Sequence, residues 1–245
     1  MAEPAAHTVT AFDNDINQLR SLVSQMGGLC EVQINSAVDA LIRRDADAAL
    51  AVVATDVRID ALEAECERLA VQMIALRAPL ADDLREIIAA LKISAVLERI
   101  GDYAKNIAKR ASALAQAPQI QPVVIVPEMA RVVAQMVKDA LDAFVDRDVE
   151  LAIAVTRRDQ SVDDFYNSLF RSLLTFMMEN PQHITPSTHL LFIAKNLERI
   201  GDHATNVAEF VHFSATGEHI VERPKSDETS YTTYSQPYAG PGARA

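Results

Sequence analysis

Twelve residues, LERIGDYAKNIA at 97–108, return as LERIGDHATNVA at 197–208, with nine identities at a spacing of one hundred. Each copy holds a glutamate and an aspartate four residues apart, Glu98 with Asp102 and Glu198 with Asp202. On a helix such side chains stack on one face, where two like charges cost stability unless a cation or a basic partner compensates them. A second pair joins each copy. Asp142, Ala143, Arg147 and Asp148 repeat Asp39, Ala40, Arg44 and Asp45 at an offset of 103, and in that register Asp159 and Asp163 fall on Asp56 and Asp60. Two neighbouring helices per half therefore offer four carboxylates, a hard oxygen donor set suited to Mg, Ca, Mn or Fe more than to zinc at a thiolate site.

Two blander readings stand beside a metal site. A carboxylate pair is most often a solvated helix face. It can also belong to a salt-bridge network, for which Arg99, Arg199 and Lys105 lie three residues from Asp102 or Asp202, while Thr205 replaces Lys105 in the second copy. Agreement of four pairs in two registers favours the metal, as do Gly101 and Gly201, which cost about 1 kcal/mol each inside a helix and remove bulk where an ion or a backbone must approach. Asn106 and Asn206 could add a carbonyl oxygen or simply bridge helices. His203 sits about 100° around the helix from Asp202 and has Tyr103 as its counterpart, so a ligand role is disfavoured. No phosphate loop, nucleophile elbow or His-centred zinc motif is present, which leaves an enzyme conceivable only through the metal.

The elements that must position these residues are helices. Apolar residues recur in steps of three and four from about Thr10 to Arg43, with Gly27 and Gly28 in the middle suited to a close crossing or a bend. A second helix runs from a cap at Asp45 to Pro79. A third starts at Asp82 or Asp83, where Asp83 and Glu86 have capping-box spacing, and ends near Leu114. After a stretch with Pro118, Pro122 and Pro127, the plan restarts with a shorter helix over 128–145, a fifth ending near Asn180, and a sixth that Thr185 and Pro186 would begin and Gly217 would stop. The prediction is an all-α protein of two tandem, pseudo-symmetric three-helix bundles, 10–116 and 128–217, joined by a Pro-rich linker at 117–127. The tail, 218–245, has almost no aliphatic residues beyond its start and reads as disordered.

Composition agrees: 49% hydrophobic residues, no Trp and only 7 Gly suit helix bundles rather than sandwiches or barrels. A formal net charge of −11, with no Lys/Arg run, argues against nucleic-acid binding. Cys30 and Cys66 sit singly in apolar patterns, as buried thiols in a reducing cytosol would. The N-terminus shows no basic start followed by an apolar stretch, and the uncharged 111–127 segment is too rich in proline to span a membrane.

Two copies of LERIGD, with Asp-x-x-x-Asp on the preceding helix, resemble the PhoU family of phosphate-uptake regulators over roughly residues 10–217. The resemblance implies two three-helix bundles side by side and no enzyme activity. It implies a cytoplasmic, often homodimeric accessory protein working at the membrane surface, where it contacts the ATPase subunit of the phosphate ABC transporter and a sensor histidine kinase and restrains both. It also implies divalent or trivalent metal ions, Fe, Mn, Mg or Zn, on Asp56, Asp60, Glu98, Asp102, Asp159, Asp163, Glu198 and Asp202. A helical di-metal carboxylate enzyme, hydrolase or oxidase, and a metal-free scaffold are the alternatives.

Overall fold

The computed structural model describes residues 4–118 and 120–220. Among these the chain is helical and contains no strand: α1 (Pro4–Arg43), α2 (Ala46–Thr55), α3 (Val57–Arg77), α4 (Ala81–Leu114), α5 (Val126–Asp146), α6 (Val149–Glu179) and α7 (Ile184–Thr216). The step of three and four built these helices as the apolar pattern requires. On α1, Leu19, Val23, Met26, Cys30, Ile34, Ala37 and Leu41 all face inward and are buried. α1, α2, α3 and α4 pack on one another, and α5, α6 and α7 do likewise. The two groups meet along α4 with α7 and along α1 with α5, so a single apolar core runs through the molecule.

Gly27 explains the second contact. A methyl group there would lie 1.9 Å from Cδ1 of Leu141 on α5, so any larger residue would force that buried side chain to move, whereas Gly28 faces open space. Asp45 and Asp148 cap α2 and α6 by accepting from the backbone N–H of Ala48 and Leu151 at 2.9 and 3.0 Å. Each follows an arginine, Arg44 or Arg147, held at positive φ of 58° and 55° where the preceding helix ends. The repeated Arg-Asp pair is thus one turn motif used twice.

Four sequence expectations change. The second helix is interrupted at Asp56, whose carbonyl accepts from both Ile59 and Asp60, at 2.8 and 3.3 Å, while its counterpart α6 runs unbroken. The capping box at Asp83 and Glu86 does not form: Leu80 takes the cap position of α4, and Glu86 turns into the core. α7 begins at Ile184, not at Thr185, because a 3-10 turn over Pro181–His183, capped by Asn180, already sets the helical direction. In the segment read as a linker, Gln121–Ile125 forms a 3-10 helix, and Ile120, Val123 and Val126 are buried. Gly217 ends α7 at φ 79° as expected, and the tail from 221 onward lies outside the described residues.

Candidate functional site

The first carboxylate patch forms where the α2–α3 junction faces the second half of α4. Asp56, at the junction, is buried, Asp60 one turn on is exposed, and Glu98 and Asp102 on α4 are partly buried. Gly101 lets the helices close: a methyl there would meet Ile59 Cδ1 at 2.8 Å and Asp56 Oδ1 at 3.5 Å. Lys105 reaches back one turn, its Nζ donating to Asp102 Oδ1 at 2.6 Å and also to Asp56 Oδ2. These bonds hold the lysine pKa above its ordinary value. Arg99 lies 3.5 Å from Glu98 and 3.9 Å from Asp102, exposed enough that the pairs contribute little. Burial and then the neighbouring Asp102 push the Glu98 carboxyl up.

Glu63 belongs to this patch too, although it lies outside the repeated carboxylate pairs. Burial raises its pKa, with Glu67 and Asp60 adding to the effect and Arg99 opposing it. The signal was there, since Glu63 lies two turns along from Asp56 on the face that carries Asp60. Gln33 from α1 is a second unexpected member. It is 2% exposed, its Nε2 donates to Thr55 Oγ1 at 3.0 Å, and its Oε1 has no hydrogen-bond partner. An orphaned buried amide oxygen costs about 1–3 kcal/mol.

The second patch repeats the plan on α6 and α7 with different cations. A methyl on Gly201 would stand 3.5 Å from Asp159 Oδ1, mirroring Gly101 and Asp56. Lys195, three residues before Glu198, donates to Glu198 Oε1 at 2.6 Å and lies 5.3 Å from the centre of the Tyr166 ring, which takes the place of Glu63. Glu198 Oε2 is buried without a hydrogen-bond partner. Burial raises the Glu198 pKa, Lys195 counteracts it, and Asp202 and Asp163 raise it further, which brings three of the four predicted carboxylates of this half into one electrostatic neighbourhood. Asp159 joins them through the Gly201 contact.

Between the patches, Tyr103 and His203 stack across the α4–α7 contact, ring centres 5.4 Å apart, with His203 Nε2 3.4 Å from the tyrosine hydroxyl. Burial keeps the His203 pKa low. The histidine is thus an interface residue on the α4–α7 contact.

As the side chains stand, no three His, Cys, Asp or Glu groups among the described residues converge closely enough to ligate one ion. The donors nevertheless suit a hard cation. Two orphaned buried oxygens, Gln33 Oε1 and Glu198 Oε2, lie one in each patch, and each patch has a glycine backing its aspartate. No helix among the described residues is long and apolar enough to cross a membrane.

A duplicated helical bundle that sets a Glu-x-x-x-Asp helix against an Asp-x-x-x-Asp helix in each half defines a class of carboxylate-bearing bundle proteins. The chain belongs to the PhoU family: the model of the PhoU domain matches it twice, over residues 23–111 and 126–211. It is 52% identical to the phosphate-specific transport system accessory protein PhoU homolog of Zymomonas mobilis, over 93% of this chain and 96% of that one. With the homolog of Caulobacter vibrioides the identity is 50%, over 91% and 98%. Its fold is similar to the crystal structure of PhoU from Pseudomonas aeruginosa, with TM-score 0.82 and 39% identity, covering 84% of this chain and all of that one. The phosphate transport system regulatory protein PhoU from Streptococcus pneumoniae gives 0.79 and 26%, covering 85% and 99%. These relatives are named as accessory or regulatory proteins of transport, not as enzymes.

Proposed function

We propose that the chain is a non-enzymatic regulator of phosphate transport: a cytoplasmic adaptor, homodimeric at the membrane surface, that restrains the phosphate ABC transporter through its ATPase subunit and restrains the phosphate-responsive histidine kinase. The observation that carries this reading is the near-full-length likeness to relatives named as accessory proteins of the phosphate-specific transport system. The kinase, the dimer and the compartment rest on the family resemblance alone.

In this reading Asp56, Asp60, Glu98 and Asp102 hold metal in the first half, and Asp159, Asp163, Glu198 and Asp202 in the second. Fe, Mn, Mg and Zn are all candidates. The orphaned oxygens and the glycine-backed aspartates support it. A second reading, a metal-free scaffold closed by salt bridges, is favoured by the Lys105 bridge between Asp56 and Asp102. The regulatory role is tested by phosphate uptake in cells lacking the chain and complemented with it. Loss of the chain should raise uptake severalfold in phosphate-rich medium and complementation should restore it. Equal uptake with and without the chain contradicts the role.

A further inference from the structure

The two patches differ in what stands among their carboxylates. In the first, the Lys105 ammonium occupies the space between Asp56 Oδ2 and Asp102 Oδ1, where an ion shared by those aspartates would also have to sit. In the second copy this position is Thr205, whose hydroxyl donates to the backbone carbonyl of Asp202 at 2.6 Å. Gln33, from α1, approaches Asp56 on the side where both flank Gly101. The Thr55 hydroxyl proton is committed to Val52 O at 2.7 Å, so Thr55 Oγ1 must accept from Gln33. That fixes the amide orientation and leaves Oε1 unpartnered on a residue 2% exposed. Gln33 Oε1 and Asp56 Oδ1 each lie 3.5 Å from the point where a methyl on Gly101 would stand, so both flank one glycine. At the offset of 103 the counterpart of Gln33 is Met136, so this amide belongs to the first patch only.

We propose that the first patch is a cation seat guarded by Lys105, in which an entering divalent ion displaces the ammonium and takes Gln33 Oε1 as a neutral ligand beside Asp56 and Asp102. The inference rests on the reading of the patches as metal sites. Two cations cannot share the seat, because their repulsion at a few ångströms in a partly buried site is strong. Lys105 has a way out, since its flexible side chain is 22% exposed. An amide carbonyl with two carboxylates is a donor set that Mg, Ca or Mn accepts. The lysine thus weakens ion binding at the first patch relative to the same patch without it, and a monovalent ion gains less than a divalent one from replacing it.

The test titrates the full-length chain with Mn(II), following free ion by electron paramagnetic resonance, in a background where Glu198→Gln and Asp202→Asn silence the second patch. Lys105→Met should bind at least tenfold more tightly than the background chain, Lys105→Arg should bind as weakly as the background, and Asp56→Asn should abolish binding. Gln33→Met should bind several-fold more weakly; should it melt early, Gln33→Glu replaces it and should bind more tightly. Equal affinity in the Lys105→Met and background chains overturns the guard, and equal affinity in the Gln33 variants overturns the ligand. Absence of Mn(II) from the unaltered chain at both patches, in contrast, removes the metal reading itself.

Discussion

Glu98 and Glu198 tie the stability of the fold to pH. Both carboxyls are held above the ordinary glutamate value, first by burial. A raised carboxylate pKa means that ionisation is harder in the folded than in the unfolded chain. The stability these groups contribute is therefore complete below the unfolded glutamate pKa, about 4.3, and is lost as pH rises through the folded one. Glu198→Gln should raise the thermal midpoint at pH 7 in metal-free buffer and leave it unchanged near pH 4, as followed by circular dichroism. A second prediction separates two adjacent glycines. Gly27→Ala forces a methyl onto Leu141, itself buried, and should destabilise by about 1–3 kcal/mol, while Gly28→Ala meets nothing and should stabilise by up to about 1 kcal/mol in urea titrations. The carboxylate pairs and their glycines were legible because spacing alone puts them on one face. The cations were legible only in part: Lys105 lies within reach of Asp102 by spacing, but its bond to Asp56 and the role of Lys195, whose counterpart is Ala95, appear only in the packing, and the charge enters the two patches from opposite ends.

At the scale of the element, helix ends followed local chemistry where no tertiary contact competed. Asp45 caps as read and Asp148, its counterpart at the offset of 103, does the same, so Asp45→Ala or Asp148→Ala should each cost about 1 kcal/mol in denaturant midpoints, without changing the opposite half's hydrogen exchange. The capping box at Glu86 does not form because Glu86 is buried against tertiary partners instead. Its Oε1 accepts from Arg20 Nε at 2.6 Å and its Oε2 lies 3.0 Å from Arg147, one arginine from each half. The interruption at Asp56 was equally invisible, since its torsions remain helical, φ −56° and ψ −41°, and no proline or glycine announces it. Its effect is to place the first patch's aspartate at a junction instead of inside a continuous helix such as α6.

For the whole molecule, duplication was readable and docking was not. Apolar periodicity says which stripe of each helix is buried but not which helix covers it, so the α4–α7 and α1–α5 contacts appear only in the fold. His203 shows what docking adds. Burial lowers its pKa, so the stability it supports is present above the unfolded histidine value, about 6.5, and is lost as pH falls through the folded one. His203→Phe, which keeps a ring on Tyr103, should lessen the fall in thermal midpoint between pH 7 and pH 5; an unchanged pH profile would show that the stack does not carry this sensitivity. The central claim, that the repeated carboxylates are a metal-bearing regulatory surface, meets its most direct test in the metal content of the native chain purified without added metal. Stoichiometric metal is expected, lost when Glu98, Asp102, Glu198 and Asp202 are replaced by their amides in a chain that still folds. A folded, metal-free native chain that still restores phosphate regulation would contradict it.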